Sequence, residues 1–539
     1  MLSLDLDKLV VDRSRMQENT YFRPQLTKTT RMHTRTACLY LVLFLLLFPA
    51  CKSRLQTANS SRPIQFTFLQ LNDVYEIAPL EGGSVGGMAR VATLRKQLLK
   101  ENPHTYTFLA GDFLNPSVIG TVKLDGQRIQ GAHMVDVMNH ADVDYVTFGN
   151  HEFDLNETNL QARLDESEFE WISANVFHQT ENGLRPFTIS RNGHTDSIPA
   201  YAILDIRQGE QRLRIGILAV TLTTNQPSYV SISDPFQAAE KTYALLKDEV
   251  DAVVALSHLA IEEDQELARR IPGLALIMGG HEHDNMIHRV GNTVIAKADA
   301  NAKSAYIHQL EYDAATGELK VNSTLKKLDE SLPLDPEVDQ VVKGWEAKAY
   351  AAFRQQGFDL NTPITTLKVP LDGREASIRN QPTNLGVAIA RAMKEAWPGA
   401  HCGIVNSGSV RLDDQLSGSI TEFDLIRALP FGGKVLKVEM KGSLLTRLLE
   451  AGLQNKGKGG YLQVYGLEKK GDKWFIDGKE MQADAAYQVA ISDFLMSGRE
   501  ENMEFLRTDH PDVLSVIVPG SEDIQRDIRL VLAEYLKKQ

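Results

Sequence analysis

Cysteine is nearly missing from this chain: 539 residues contain only Cys38, Cys51 and Cys402. The first two fall in an N-terminal apolar segment, so the body of the protein has one thiol and no internal disulfide. Its stability must come from buried cores rather than crosslinks. Cys402 lies in an apolar run and reads as a small core residue. Positive charge is also short, with 58 Lys and Arg against 70 Asp and Glu and a net charge of −12. That excludes broad binding of nucleic-acid polymers, which needs a basic face to neutralise phosphates. A small anion held by local arginines is still compatible. There is no internal repeat and no low-complexity tract. What remains is a globular composition, 43% hydrophobic and 24% charged, at a length that suggests two or three domains.

The ten apolar residues from Leu39 to Phe48 are too few for a stable membrane span. Arg31, His33 and Arg35 precede them, which is the charged-then-apolar order of an export signal. The run ends Phe48-Pro49-Ala50-Cys51, resembling a bacterial lipobox. Residues 1–51 are therefore expected to be an N-terminal extension and signal, with ordinary secretory cleavage as the alternative to lipidation of Cys51. Residues 52–63 would be a polar tether, and Met32 reads as an alternative start. The expected location is the periplasm or cell envelope, with a lipidated Cys51 as the membrane attachment.

From Ile64 onward, strand-like runs alternate with helical ones. Val143 to Phe148 is apolar, β-branched and aromatic, the signature of a buried strand, and it stops at Gly149-Asn150-His151-Glu152-Phe153-Asp154. Ile64 to Leu71 alternates at period two and ends in Asn72-Asp73. Thr105 to Leu109 ends in Ala110-Gly111-Asp112. Val250 to Leu256 ends in Ser257-His258, and Leu274 to Met278 ends in Gly279-Gly280-His281-Glu282-His283. Gly86 to Lys100 reads as an amphipathic helix through Met88, Val91, Leu94 and Leu98. Strand ends are where α/β sheets place their chemistry. Asp73, Asp112, Asn150, His258, His281 and His283 supply oxygen and imidazole donors without thiolates, which suits Zn, Mn, Fe or Co. Six donors exceed one tetrahedral set, and a bridging aspartate allows a two-metal site.

This ordered set resembles the calcineurin-like metallophosphoesterase family, and with the second half of the chain it resembles the secreted 5′-nucleotidases. The resemblance implies an α/β fold, a four-layer metallophosphoesterase β-sandwich flanked by helices and joined by a helix to a second α/β substrate-binding domain. The expected division is a catalytic domain at 64–332, a linker helix within 333–359 and a 5′-nucleotidase C-terminal domain at 360–539. Glu337 to Gln356 reads as that helix, capped by Asp335. The resemblance also implies two divalent ions (Zn, Mn, Co or Fe), with Asp112 bridging. Asp73 and His283 would complete one side, and Asn150, His258 and His281 the other. His151, paired with Asp154, would stabilise charge on the phosphoryl group and assist the leaving oxygen.

One position departs from the family. Where the family has Asp-x-His, this chain has Asp73-Val74-Tyr75. Two readings follow: Tyr75 ligates an Fe(III)-like ion, or it is a bystander next to a site with one ligand fewer. The second is slightly preferred.

In the second half, Asn406-Ser407-Gly408-Ser409-Val410-Arg411 resembles the family's substrate loop. Gly408 would allow close backbone approach and Arg411 a bidentate phosphate contact; Arg379 lies where the family places another phosphate-binding arginine. Phe431 and Phe494 match the aromatics that sandwich the base. Glu500 stands in Gly498-Arg499-Glu500 where the family has an aspartate for ribose hydroxyls.

The expected function is an exported, metal-dependent phosphohydrolase. It would be a 5′-nucleotidase releasing phosphate from nucleoside 5′-monophosphates by attack of a metal-bound hydroxide. The expected partner is a small nucleotide or phosphate ester. Hydrolysis of cyclic nucleotides, nucleotide sugars or another small ester is the alternative within enzymes. A nucleotide-binding protein with a decayed metal site is the alternative from another class.

Overall fold

The computed structural model describes residues 62–124, 126–412 and 414–539. The expected export signal, Cys38, Cys51 and nearly all of the tether lie outside the described residues. Among the described residues, no helix is long and apolar enough to cross a membrane.

Residues from Pro63 onward form one compact unit. Its first half holds two six-stranded sheets. One runs, edge to edge, through Glu318–Lys327, Ser304–Asp313, Ile64–Leu71, Thr105–Ala110, Tyr145–Thr147 and Glu170–Trp171. The other runs through Tyr201–Gln208, Gln211–Thr221, Ala252–His258, Leu274–Gly279, Thr293–Lys297 and Met286–Val290. Period-two alternation decides where each side chain goes. Ile64, Phe66 and Phe68 enter the core between the sheets, with Ile215, Ile217, Leu256 and Met278 facing them. Leu69 and Leu71 point the other way, under the helix Met88–Glu101. On the far side, Ala239, Leu246 and Leu267 of helices Pro235–Leu246 and Ile261–Arg270 cover Val253, Ala255 and Ile277. The result is four layers, helix–sheet–sheet–helix.

Within each sheet the central strands are parallel: Ile64–Leu71 with Thr105–Ala110 and then Tyr145–Thr147, and Ala252–His258 with Leu274–Gly279. Parallel neighbours bring their carboxyl ends to the same edge, which is why ligand types far apart in the sequence can converge there. The packing beneath that edge is aromatic. Phe148, directly before Gly149, lies 4.7 Å from Trp171 between ring centroids; such a pair adds roughly 0.5–1.5 kcal/mol beyond its area burial.

The helix expected at Glu337 to Gln356 spans Pro336–Gln355, with Asp335 accepting hydrogen bonds from the N–H groups of Glu337 and Val338. Its Val338, Val342, Ala349 and Phe353 share a core with the helix Met88–Glu101. The helix is therefore packed on the outer layer of the sandwich.

Beyond it, a five-stranded sheet runs Leu462–Tyr465, Cys402–Asn406, Ala486–Ser492, Val435–Lys441 and Val513–Ile517. Helices Asn384–Ala396 and Ile528–Leu536 cover one face and Gly442–Gln454 the other. Cys402 is fully buried. The fold matches the four-layer sandwich and second α/β domain expected from the sequence.

Candidate metal centre and substrate site

His258 is the last residue of its strand, and the other donors lie in the loops that follow theirs. Asp73, Asp112 and His281 hold φ of 54°, 56° and 83°, a left-handed backbone that costs a non-glycine residue about 1–3 kcal/mol and clusters at functional sites. Gly111 and Gly149 let two of these turns touch, because a β-carbon at Gly149 would sit inside the Asp112 carboxylate. The turns are stitched together by Glu152, which is fully buried. Its Oε2 accepts from the N–H groups of Asp112 (2.8 Å) and Gly149 (2.6 Å), and its Oε1 from Phe113 (2.8 Å) and Leu114 (3.0 Å). Burial and then the Asp112 charge push this carboxyl up to about 7, while the four N–H groups favour its ionised form.

Asp73, Asp112 and His258 bring ligand atoms within 4.8 Å of one another. His258 Nε2 stands 3.1 Å from Asp112 Oδ2, and His283 Nε2 stands 3.4 Å from Asp73 Oδ1. The His281 and His258 rings lie 5.4 Å apart. His258 Nδ1 contacts the Ala110 carbonyl at 2.7 Å, which fixes the ring and leaves Nε2 facing the carboxylates. Burial acts to lower the His258 imidazole, but Asp112 outweighs it and pushes it up to about 9. Burial acts to raise Asp73 and Asp112, yet neighbouring histidines hold both below the usual carboxylate range. His281 is lowered by burial and by His258. Two donor atoms, His258 Nε2 and Asn150 Oδ1, are buried without a hydrogen-bond partner. Orphaned buried donors and acceptors are costly in a native fold, and a cation beside the Asp112 carboxylate would engage His258 Nε2. The residues present fit a metal centre of oxygen and imidazole ligands.

His151 sits beside this cluster. Its backbone N–H donates to Asp112 Oδ1 at 2.7 Å, and its Nδ1 lies 2.7 Å from Asp154 Oδ2. Burial pulls the imidazole down, but the Asp112 and Asp154 carboxylates outweigh burial and push it up to about 9. Tyr75 is buried, and its hydroxyl reaches Asp112 Oδ2, Asp73 Oδ1 and His283 Nε2 at 3.2, 3.4 and 3.1 Å.

The second domain reaches the same place. Arg411 comes within 4.0 Å of Asp154, and with Phe431, Tyr75 and Asp154 it lines one cavity of about 260 Å³. Phe431 is 72% exposed. The other expected substrate residues, Arg379, Asn406, Gly408, Phe494 and Glu500, are not part of that cavity's wall. Phe494 is partly exposed, with the Arg499 guanidinium 5.6 Å from its ring centre. Glu500 accepts a 2.9 Å hydrogen bond from Asn406, and Arg379 pairs with Glu375. The Gly408 N–H donates to the Gly459 carbonyl at 2.7 Å, tying the substrate loop to the glycine-rich turn at 457–460. The halves are latched by Lys303 to Asp414 at 2.5 Å and Arg374 to Asp284 at 3.1 Å.

Three supporting residues were not read from the sequence. Asn115 Nδ2 donates to Asp154 Oδ2 at 2.8 Å, and Asn225 Nδ2 donates to Asp154 Oδ1 at 2.9 Å and to the Asn150 carbonyl at 2.7 Å. Lys297, fully buried, donates to the carbonyls of Leu259 (2.6 Å) and Gly280 (2.8 Å), joining the turns of His258 and His281. A lysine closing the apolar run Thr293-Val294-Ile295-Ala296 was its only trace in the sequence. The two asparagines left none.

Residues 66–285 match the calcineurin-like phosphoesterase family, and residues 363–507 match the 5′-nucleotidase C-terminal domain. The trifunctional nucleotide phosphoesterase YfkN of Bacillus subtilis is 28% identical over 482 residues, covering 80% of this chain and 32% of that protein, so the chain spans about a third of that relative's length. The 5′-nucleotidase of Bos taurus is 27% identical over 511 residues, covering 81% of this chain and 84% of the bovine one. The solved structure of a 5′-nucleotidase precursor from Thermus thermophilus superposes with a TM-score of 0.62 at 23% identity, over 88% of this chain and 96% of that one. The chain belongs to the family that joins a calcineurin-like phosphoesterase domain to a 5′-nucleotidase C-terminal domain, a family of phosphoric ester hydrolases.

Proposed function

We propose that this protein is an exported, metal-dependent phosphohydrolase that releases phosphate from nucleoside 5′-monophosphates. In this reading residues 64–332 form the catalytic domain, 360–539 the substrate-binding domain, and 333–359 join them. The observation that carries it is that Arg411 of the second half comes within 4.0 Å of Asp154, the partner of His151 beside the buried cluster of Asp73, Asp112 and His258.

Asp73 and His283 would hold one divalent ion, Asn150, His258 and His281 a second, and Asp112 both. Bound there, the pair would supply Lewis-acid stabilisation of the phosphoryl oxygens and an activated water. The rest falls to the chain's own groups. In its protonated form His151 can hydrogen-bond a phosphoryl oxygen or hand its Nε2 proton to the departing ribose oxygen, while Asp154 keeps Nδ1 engaged and the ring oriented. Arg411 offers the planar fork that phosphate accepts in pairs, and Arg379 would be a second cation for it. Phe431 and Phe494 would stack on the base. Glu500 would meet the ribose hydroxyls, and Asn406 and Gly408 would belong to the substrate loop, with Gly408 allowing close backbone approach. Export rests on the charged-then-apolar segment ending at Cys51, with attachment to the cell envelope through that cysteine.

The test is phosphate release from AMP, ATP, a cyclic nucleotide, a nucleotide sugar and an aryl phosphate by the purified protein, with Mn, Zn or Co added. AMP should be turned over fastest, and only with metal. Faster turnover of the cyclic nucleotide or nucleotide sugar would overturn the substrate assignment and keep the phosphohydrolase.

A further inference from the structure

Tyr75 stands where the family pattern has a histidine, and the preferred reading of the sequence makes it a bystander. The geometry points elsewhere. A bystander tyrosine buries its ring and turns its hydroxyl to water or to one acceptor. Here the hydroxyl oxygen faces three groups at once: Asp112 Oδ2 at 3.2 Å, Asp73 Oδ1 at 3.4 Å and His283 Nε2 at 3.1 Å. Asp73 Oδ1 and His283 Nε2 are themselves 3.4 Å apart. A phenol has one proton to donate, so it cannot satisfy two carboxylates together, and both belong to the candidate metal set.

The spacing has a simple meaning. Donor atoms bound to one ion at about 2.1 Å stand about 3.0 Å apart along an octahedral edge and about 3.4 Å apart along a tetrahedral one. All four distances fall between those values. Tyr75 is 5% exposed, its backbone N–H donates to Asn301 Oδ1 at 3.3 Å, and its ring centre lies 5.3 Å from that of His283 and 6.1 Å from that of His151.

We infer that Tyr75 is a ligand, its phenol oxygen sharing with Asp73, Asp112 and His283 the first of the two metal positions. The inference rests on the metal-centre reading above and adds a fourth donor to that side. Three oxygens and one imidazole form a harder set than the family's histidine would give. Harder donors favour manganese or iron over zinc at this position.

Tyr75→Phe removes one oxygen and keeps the ring, so the test begins there. Mn²⁺ is titrated into metal-free wild type, Tyr75→Phe and Tyr75→His, with thermal melting of each metal-free protein as the check on folding. Wild type should bind two ions, Tyr75→Phe should bind one of them at least tenfold more weakly, and Tyr75→His should recover most of that loss. Loaded with ferric iron, wild type should show the visible phenolate-to-metal absorption band that Tyr75→Phe lacks. Two ions bound by Tyr75→Phe within twofold of the wild-type affinities would overturn the assignment alone. Failure of wild type to bind two ions would overturn the metal-centre reading, and the assignment with it.

Discussion

Nδ2 of Asn225 lies 2.9 Å from Oδ1 of Asp154, while Oδ2 of the same carboxylate receives Asn115 and faces Nδ1 of His151. Both oxygens are thus spoken for, and the imidazole is aimed by a carboxylate that cannot turn. Asn225 adopts φ of 55°, a left-handed backbone that asparagine tolerates better than most residues.

Replacing Asn225 with alanine should lower kcat for AMP by about tenfold, within the range that loss of orientation at a general acid produces. KM and metal content should stay near wild type. An aryl phosphate, whose leaving oxygen needs less protonation, should suffer less. Steady-state kinetics on the two substrates check this, and equal losses on both would show that Asn225 does not act through His151.

Glu152 binds four backbone N–H groups of the Asp112 and Gly149 turns. Glutamine there must turn an NH₂ toward N–H donors. Glu152→Gln should cost about 2–4 kcal/mol of stability through unsatisfied buried donors and weaken metal binding by displacing Asp112. Thermal melting and metal analysis of the variant check both effects.

Acid stability should report two buried histidines remote from the metal centre. Burial alone holds His308 at about 3, and burial followed by the Arg163 charge holds His133 at about 3. Unfolded histidine titrates near ~6.5. The unfolded chain therefore takes up protons that the fold refuses. The histidine contribution is intact above pH ~6.5 and is lost as pH falls from there toward 3, at up to about 1.4 kcal/mol per pH unit for each histidine. Denaturant melts between pH 4 and 8 should show that slope (roughly the interval set by these values), and His308→Gln should reduce it by about one proton.

Phe431 is 72% exposed at the wall of the shared cavity, where its ring is free to meet a base. Phe431→Ala and Phe494→Ala should each raise KM for AMP by about 5–30-fold, from roughly 1–2 kcal/mol of base stacking. KM for an aryl phosphate should change far less. A similar rise for both substrates would remove the stacking role.

The strands that carry the site were legible because buried parallel strands read as short apolar runs, and each run stops at a glycine, asparagine or serine followed by a ligand type. The long helix was legible from its apolar stripe and the Asp335-Pro336 start, and its ends fall within one residue of the expected ones. The strands at Gly183–Arg185, Thr188–Arg191 and Tyr201–Gln208 were not read, since mixed exposure leaves them no clear period. The helix Ile528–Leu536 was also missed. Within the site, sequence spacing named the groups that meet the metal position but not those that hold them. Asn115, Asn225 and Lys297 act across 39, 71 and 38 positions, and a contact between distant loops has no periodicity to read. Tyr75 was visible as a departure, but only the distances around its hydroxyl give it a place.

The most direct test of the account is phosphate release from AMP by the wild-type protein before chelation, after chelation, and after Mn²⁺ is restored, with Asp112→Asn alongside. Activity should vanish on chelation and return with metal. Asp112→Asn should lose at least about 10³-fold in kcat, since it removes charge from both metal positions, and should still bind AMP. AMP hydrolysis that survives complete metal removal, or AMP binding with no turnover under any metal, would contradict it; the second result would leave a nucleotide-binding protein with a decayed centre.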